Sequence, residues 1–210
     1  MKKAILFGAS KEQNLSYLEL LRKQLPEAFV ICADGGYETA KNAGFTPKVL
    51  AGDLDSYSGQ AEDAELLRQP PEKDDTDLKI CLDVALERGF TDILIVAASG
   101  GRLDHYLSNI FLLEYAAEHG AKAELINAKN RVFLHNGGKM LLRRDEAYRY
   151  FSLLPLDYTL SGVTLTGLKY PLRDVTLKRP GVISVSNEPI CEEYTAEIKK
   201  GRALIILSRD

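Results

Sequence analysis

The sequence predicts an α/β N-terminal domain, a mostly parallel sheet flanked by helices, followed by an all-β, sandwich-like C-terminal domain. Three observations predict it. Short apolar runs alternate with helix-period segments through about residue 127, as in a sheet covered on both faces. Beyond that point helical periodicity disappears, and alternating runs are separated by Gly, Pro, Asn or Asp. Charge divides the same way: the chain carries a net −3, yet residues 128–210 hold fourteen Lys/Arg against nine Asp/Glu. The domains are therefore drawn as 1–127 and 128–210.

Each element has its own reason. Lys3–Phe7 is a short apolar run closed by Gly8, a buried strand. Leu15, Leu18, Leu21 and Leu25 recur at helical spacing, predicting a helix over about 12–25 that Pro26 stops. Phe29–Ala33 is the second strand, and Asp34-Gly35-Gly36 turns into a helix ending at Asn42–Gly44. Val49–Ala51 is the third strand, delivering Gly52-Asp53 at its C-terminal end. A polar helix over about 60–68 and a Pro70-Pro71 break follow. Thr76–Arg88 is a helix closed by Gly89, Asp92–Ala97 a strand, and Gly100-Gly101 opens a helix with Leu107, Ile110 and Phe111 facing inward. Ala123–Asn127 is the last strand of this half. The β half is read from the runs at 132–134, 140–142, 150–154, 159–165, 182–185 and 203–207.

Composition narrows the function. A pI near 5.7 argues against general nucleic-acid binding. The three cysteines show no CxxC pairing, and Cys32 and Cys81 lie in buried-type patterns, so core thiols are expected rather than disulfides or zinc ligands. The N-terminal apolar run is too short for a signal peptide, and no stretch approaches the ~20 apolar residues of a membrane span. A cytoplasmic protein without membrane partners is expected.

The segment from Gly52 to His105 carries thirteen Asp/Glu against five Lys/Arg. Carboxylates gathered in this way repel one another, and hard divalent cations such as Mg²⁺ offset that repulsion. Asp53 and Asp55 stand two apart at a strand end, where both carboxylates can face one side; equally, they can cap the turn. Asp74 and Asp77 are one helical turn apart, and an N-cap at Asp74, Asp75 or Thr76 is the competing reading. Gly100-Gly101-Arg102 sets flexible backbone and a permanent cation at a helix start, a phosphate cradle, with Asp104 close enough to form a local ion pair. His105 and Asn109 share a helical face. All three signatures fall where strands of an α/β sheet end, the usual place for ligands. Neither GxxxxGK[ST] nor GxGxxG is present.

The ordered set resembles the thiamine pyrophosphokinase family. The strings are Asp34-Gly35-Gly36, Gly52-Asp53-Leu54-Asp55-Ser56, Glu72-Lys73-Asp74-Asp75-Thr76-Asp77, Gly100-Gly101-Arg102-Leu103-Asp104-His105 with Asn109, Gly162-Val163-Thr164, Gly167–Leu172 and Ser186-Asn187-Glu188. The resemblance implies a homodimer that moves the diphosphoryl group of ATP to the hydroxyethyl oxygen of thiamine, giving thiamine diphosphate and AMP. It implies an N-terminal domain that binds nucleotide and Mg²⁺, and a C-terminal domain for thiamine binding and dimerisation. On this resemblance Asp53, Asp55, Asp74, Asp77 and Asp104 are the catalytic acids and Mg²⁺ ligands. Arg102, Lys73, Thr76, Gly101, His105 and Asn109 lie on the ATP side, and Ser186, Asn187 and Asp34 on the thiamine side. Asp74 or Asp104 is the favoured proton acceptor. The family's tryptophan over thiamine has no counterpart, because the chain has no Trp, and Pro189 replaces an expected bulky apolar residue. Two rival readings are a Mg²⁺-dependent transferase acting on another small alcohol and a non-catalytic nucleotide or vitamin sensor.

Overall fold

The computed structural model describes residues 3–10, 12, 14–52, 64–68, 75–181 and 183–210. They form two compact units, Met1–Ala128 and Lys129–Asp210.

The first unit runs β1 (Lys3–Phe7), α1 (Tyr17–Gln24), β2 (Phe29–Ala33), α2 (Gly36–Asn42), β3 (Pro47–Gly52), β4 (Glu65–Arg68), α3 (Asp77–Glu87), β5 (Asp92–Val96), α4 (Leu103–Glu118) and β6 (Lys122–Ile126). Its strands pair in parallel in the order β4-β3-β2-β1-β5-β6. The central strands are almost wholly buried, as parallel strands covered on both faces must be. Ile5, Phe7, Val30, Cys32, Leu50, Leu94 and Val96 form the core with Leu18 and Leu21 of α1. The order reverses direction at β1: β2 lies on one side and β5 on the other, so the crevice for a ligand opens beyond the ends of β1 and β5.

Three sequence expectations change here. Residues 65–68 are a strand, not part of a helix: Glu65–Arg68 pairs with Val49–Gly52, because the edge of β3 offers a ladder and four residues are too few to hold a helix alone; the remainder of that predicted helix, 60–63, lies outside the described residues. α1 starts five residues later than expected, at Tyr17, since Glu12 is committed to Ser99 instead. In α4 the buried residues are Asn109, Leu112, Leu113 and Ala116, while Leu107 and Phe111 are exposed and Ile110 is only half-buried.

The second unit comprises β7 (Asn130–His135), β8 (Gly138–Arg143), β9 (Tyr150–Pro155), β10 (Thr159–Thr166), β11 (Leu172–Lys178), β12 (Glu193–Ile198) and β13 (Ala203–Ser208). Antiparallel pairing gives β7-β13-β9 and β11-β10-β12-β8. Phe151, Leu153, Leu160, Val163, Leu165, Tyr194, Ile198 and Ile205 fill the space between them. The fully buried His135 joins the two sheets, its Nε2 meeting the Ala196 carbonyl at 3.0 Å while Nδ1 lies 3.2 Å from the Gly137 amide. The run expected as a strand at 182–185 is not one: Ile183 and Val185 are exposed and Ser184 is buried, so the segment turns its polar residue inward; Val182 lies outside the described residues. β11 and β12 were not expected. In β12 the alternation is Glu193 out, Tyr194 in, through Ile198 in.

All three cysteines are free thiols, Cys32 and Cys81 buried and Cys191 exposed. Burial pushes the Cys32 thiol far above its ordinary value. Among the described residues, no helix is long and apolar enough to cross a membrane.

Candidate active site

The crevice predicted by the strand order is present as a cleft of about 500 Å³. Its walls come from four separated segments: Gly8, Ala9 and Ser10 after β1; Ala33 at the end of β2; Thr76, Asp77 and Leu78 at the start of α3; and Gly100, Gly101, Arg102, His105 and Asn109 around the start of α4. Backbone contact fixes the floor. Gly8 N–H donates to the Val96 carbonyl at 2.8 Å and Ser10 N–H to the Ala97 carbonyl at 3.0 Å. Ala97, Gly100 and Gly101 all have positive φ, at 50°, 94° and 73°. A loop that curls in this way needs glycine at most of its positions, and Ala97 is the strained exception.

Beneath the loop lies a polar network absent from the sequence reading. Glu12 Oε1 accepts from the Ser99 amide at 2.9 Å and the Ser99 hydroxyl at 2.7 Å, and its Oε2 accepts from Tyr17 at 3.0 Å. Asn127 Nδ2 donates to Ser99 Oγ at 2.9 Å, and the Ala97 amide donates to Tyr17 Oη at 3.1 Å. Asn109, buried at 7 % exposure, donates to the Ala98 carbonyl at 2.8 Å. These bonds hold the Gly100-Gly101 turn from below. Of these residues only Asn109 stands in one of the sequence motifs.

At the start of α3 the capping question resolves. Thr76 is the N-cap, its Oγ1 accepting from the Lys79 amide at 3.3 Å. Asp75 pairs with Lys79 Nζ at 3.2 Å, and Lys79 also meets Asp83 at 2.8 Å, a partnership that raises the lysine above its usual range. Asp77 is required for neither task. Instead its carboxylate faces Gly52: a Cβ added at Gly52 would lie 3.4 Å from Asp77 Oδ1 and 3.2 Å from Asp34 Cβ. Asp34 and Asp77 thus flank the end of β3. Gly52→Ala is expected to cost about 1–3 kcal/mol, the range for overpacking a tight site, and to push these two acids apart; urea denaturation read beside a Mg²⁺ titration of the same variant tests both effects.

Arg102 and Asp104 form an exposed pair, Nε–Oδ1 3.1 Å and a second contact to Oδ2 of 2.6 Å, and Asp104 also accepts from the His105 amide at 2.9 Å. The Arg102 hydrogen bond, then the His105 amide, holds the Asp104 carboxyl down at about 2. The contribution of this pair is complete above the ordinary carboxylate value and fades as pH falls toward 2. We expect ¹³C-detected titration to find Asp104 ionised through the whole neutral range, titrating near pH 2. The pair fixes the Arg102 guanidinium at the start of α4.

Asp53, Asp55, Lys73 and Asp74 lie outside the described residues. Among the described residues, no three His, Cys, Asp or Glu side chains are gathered as a metal cage. Asp34 and Asp77 are hard oxygen donors of the kind Mg²⁺ takes, set on either side of a residue with no side chain between them.

Ser186 and Asn187 belong to the second unit. Asn187 is 3 % exposed, and its backbone pairs with Phe151. Its side chain closes on Tyr170: Nδ2 donates to the Tyr170 carbonyl at 2.7 Å, and Oδ1 accepts from the Tyr170 amide at 2.9 Å and from the Glu188 amide at 2.9 Å. Ser186 sits at φ 57°, its amide donating to Ser152 Oγ at 3.0 Å. Glu188 pairs with Lys169 at 3.0 Å and Arg149 at 3.4 Å. Two sequence strings far apart in the chain, Gly167–Leu172 and Ser186–Glu188, are thus one local structure.

The fold and the cleft define an α/β enzyme whose site lies at a sheet switch point and whose chain carries, in addition, an antiparallel β-sandwich. Residues 21–125 match the family model described as thiamin pyrophosphokinase, catalytic domain, and residues 139–204 the one described as thiamin pyrophosphokinase, vitamin B1 binding domain. A thiamine pyrophosphokinase of Bacillus subtilis is 35% identical over 187 residues, covering 86% of this chain and 87% of that one. The crystal structure of thiamine pyrophosphokinase from Bacillus subtilis superimposes with a TM-score of 0.91 at 30% identity, covering 100% of both chains. That of the Geobacillus thermodenitrificans protein gives 0.86 at 31% identity, over 100% of this chain and 98% of the other. The chain belongs to the thiamine pyrophosphokinase family, and is a kinase enzyme.

Proposed function

We propose that this enzyme transfers the diphosphoryl group of ATP to the hydroxyethyl oxygen of thiamine in a Mg²⁺-dependent reaction, giving thiamine diphosphate and AMP. The observation that carries the reading is the switch-point cleft, which brings Thr76, Asp77, Gly101, Arg102, His105 and Asn109 together from two separate helix starts. Diphosphoryl transfer requires positioning and charge neutralisation more than covalent chemistry. The left-handed Gly100-Gly101 turn leaves open backbone for phosphate, and Arg102 supplies a permanent cation beside it. Thr76, His105 and Asn109 complete that wall, and Lys73 is proposed to serve ATP with them.

Asp53, Asp55, Asp74, Asp77 and Asp104 are the proposed ligands of Mg²⁺, which when bound neutralises phosphate charge and polarises the β-phosphorus. The thiamine oxygen attacks that phosphorus, the bond to the α–β bridging oxygen breaks, and AMP leaves; the alcohol proton goes to a carboxylate, Asp74 or Asp104. Ser186 and Asn187 are proposed to serve thiamine, with support from the description of residues 139–204 as a vitamin B1 binding domain; Asp34 is proposed for the same substrate on the family resemblance alone. The cationic vitamin suits the acidic field.

Incubation with ATP, Mg²⁺ and thiamine should release AMP and thiamine diphosphate in equal amounts, and chelation should stop it. ADP as the nucleotide product would remove diphosphoryl transfer. Absence of any thiamine-dependent turnover would favour a sensor.

A further inference from the structure

The segment that leaves β1 and the loop that leaves β5 are two of the walls of the cleft, and one side chain ties them together. The Glu12 amide donates to the Ser10 carbonyl at 3.0 Å, which anchors Glu12 to the Gly8–Ser10 wall. Its carboxylate meets Ser99, the residue immediately before the Gly100-Gly101 turn. Three donors converge on that carboxylate: the Ser99 amide, the Ser99 hydroxyl and the Tyr17 hydroxyl. Glu12 stands behind these walls rather than among the residues that line the cleft.

A carboxylate only accepts, and this fixes the direction of every bond in the network. The Ser99 hydroxyl donates to Glu12, which leaves its oxygen to accept from Asn127 Nδ2. The Tyr17 hydroxyl also donates to Glu12, which leaves its oxygen to accept from the Ala97 amide. Two chains of hydrogen bonds therefore end on Glu12, and chained bonds strengthen one another. One chain holds Ser99, which is buried; the other holds Ala97, whose φ of 50° persists only where its surroundings enforce it. With Ala97 and Ser99 both fixed, the Gly100-Gly101 turn leaves from a defined point, although its glycines have no side chains to set their own course.

We propose that Glu12 is a positioning residue for the phosphates of ATP: it sets the Gly100-Gly101 turn against the Gly8–Ser10 wall, so that the backbone the phosphates meet is in place before nucleotide arrives. The inference rests on the nucleotide reading of the cleft and goes beyond it, because it gives the shape of the cradle to a residue outside every sequence motif. Reach and accepting oxygen are what count, not charge. A negative charge beneath a phosphate site repels the ligand, and here the carboxylate is occupied by three donors.

Glu12→Ala should raise the KM for ATP about tenfold, the size of one hydrogen bond to a charged acceptor, while the KM for thiamine stays at its wild-type value. A smaller folded fraction would lower kcat and move neither KM, so the split separates positioning from stability. Glu12→Gln is the rescue: Oε1 still accepts from Ser99, and Nε2 donates to Tyr17 Oη, so most of the affinity for ATP should return. Glu12→Asp keeps the charge but is one methylene shorter, and should behave like Glu12→Ala. Binding of a fluorescent ATP analogue with Mg²⁺ to the same four proteins reads the effect without turnover. A wild type that binds the analogue yet makes no AMP from ATP and thiamine would sink the transfer reading, and tenfold weaker binding by Glu12→Ala would still uphold this one. A wild type that does not bind the analogue, equal binding by wild type and Glu12→Ala, a parallel rise in both KM values, or rescue by Asp and not by Gln would each overturn the proposal.

Discussion

Asp77→Asn is expected to lower turnover by about 10²–10³-fold, the scale on which losing one preorganised electrostatic group acts, while leaving the melting temperature near that of wild type. The substitution keeps the size of the side chain and spares the helix start, because Thr76 supplies the cap and Asp75 meets Lys79. What it removes is the charge facing Gly52 and Asp34. Steady-state rates over a Mg²⁺ series, with a thermal melt of the same preparation, separate the two quantities. Near-normal turnover at saturating Mg²⁺ would take Asp77 out of the metal site.

Asn187→Ala should act on the other substrate. Its buried amide makes three hydrogen bonds, two to the backbone of Tyr170 and one to that of Glu188. Each buried group left unpaired costs about 1–3 kcal/mol, and the turn at Tyr170 is released with them. A loss of about 1–3 kcal/mol of support corresponds to roughly 10- to 100-fold, so the KM for thiamine should rise by about that factor while that for ATP stays put. Equal movement of both constants would mean general loosening and would remove Asn187 from the vitamin side.

The sequence made the parallel strands plain, since buried strands are continuous apolar runs that stop at Gly, Asp or Ser, as Lys3–Phe7 and Phe29–Ala33 do. β4 was hidden because Glu-Leu-Leu-Arg consists of good helix formers; only the open edge of β3 makes it a strand. α4 was legible as a helix but not in its orientation. Apolar residues occur on more than one of its faces, and the face that is buried includes Asn109, which a search for apolar periodicity passes over. At the site, Asp77, Gly101, Arg102 and His105 were visible as motif members. Glu12 was not: its bond to Ser99 spans 87 residues, and no local pattern records such a contact.

The cap of α3 has a wider consequence. A hydroxyl group does not titrate in the physiological range, and threonine does not compete for a divalent ion as a carboxylate cap would. The helix that presents Asp77 therefore starts by the same hydrogen bond in acid or neutral solution, and with the cation supply rich or depleted. On the proposed Mg²⁺ role of Asp77, chelated and Mg²⁺-loaded protein should therefore give the same helix content by far-UV circular dichroism.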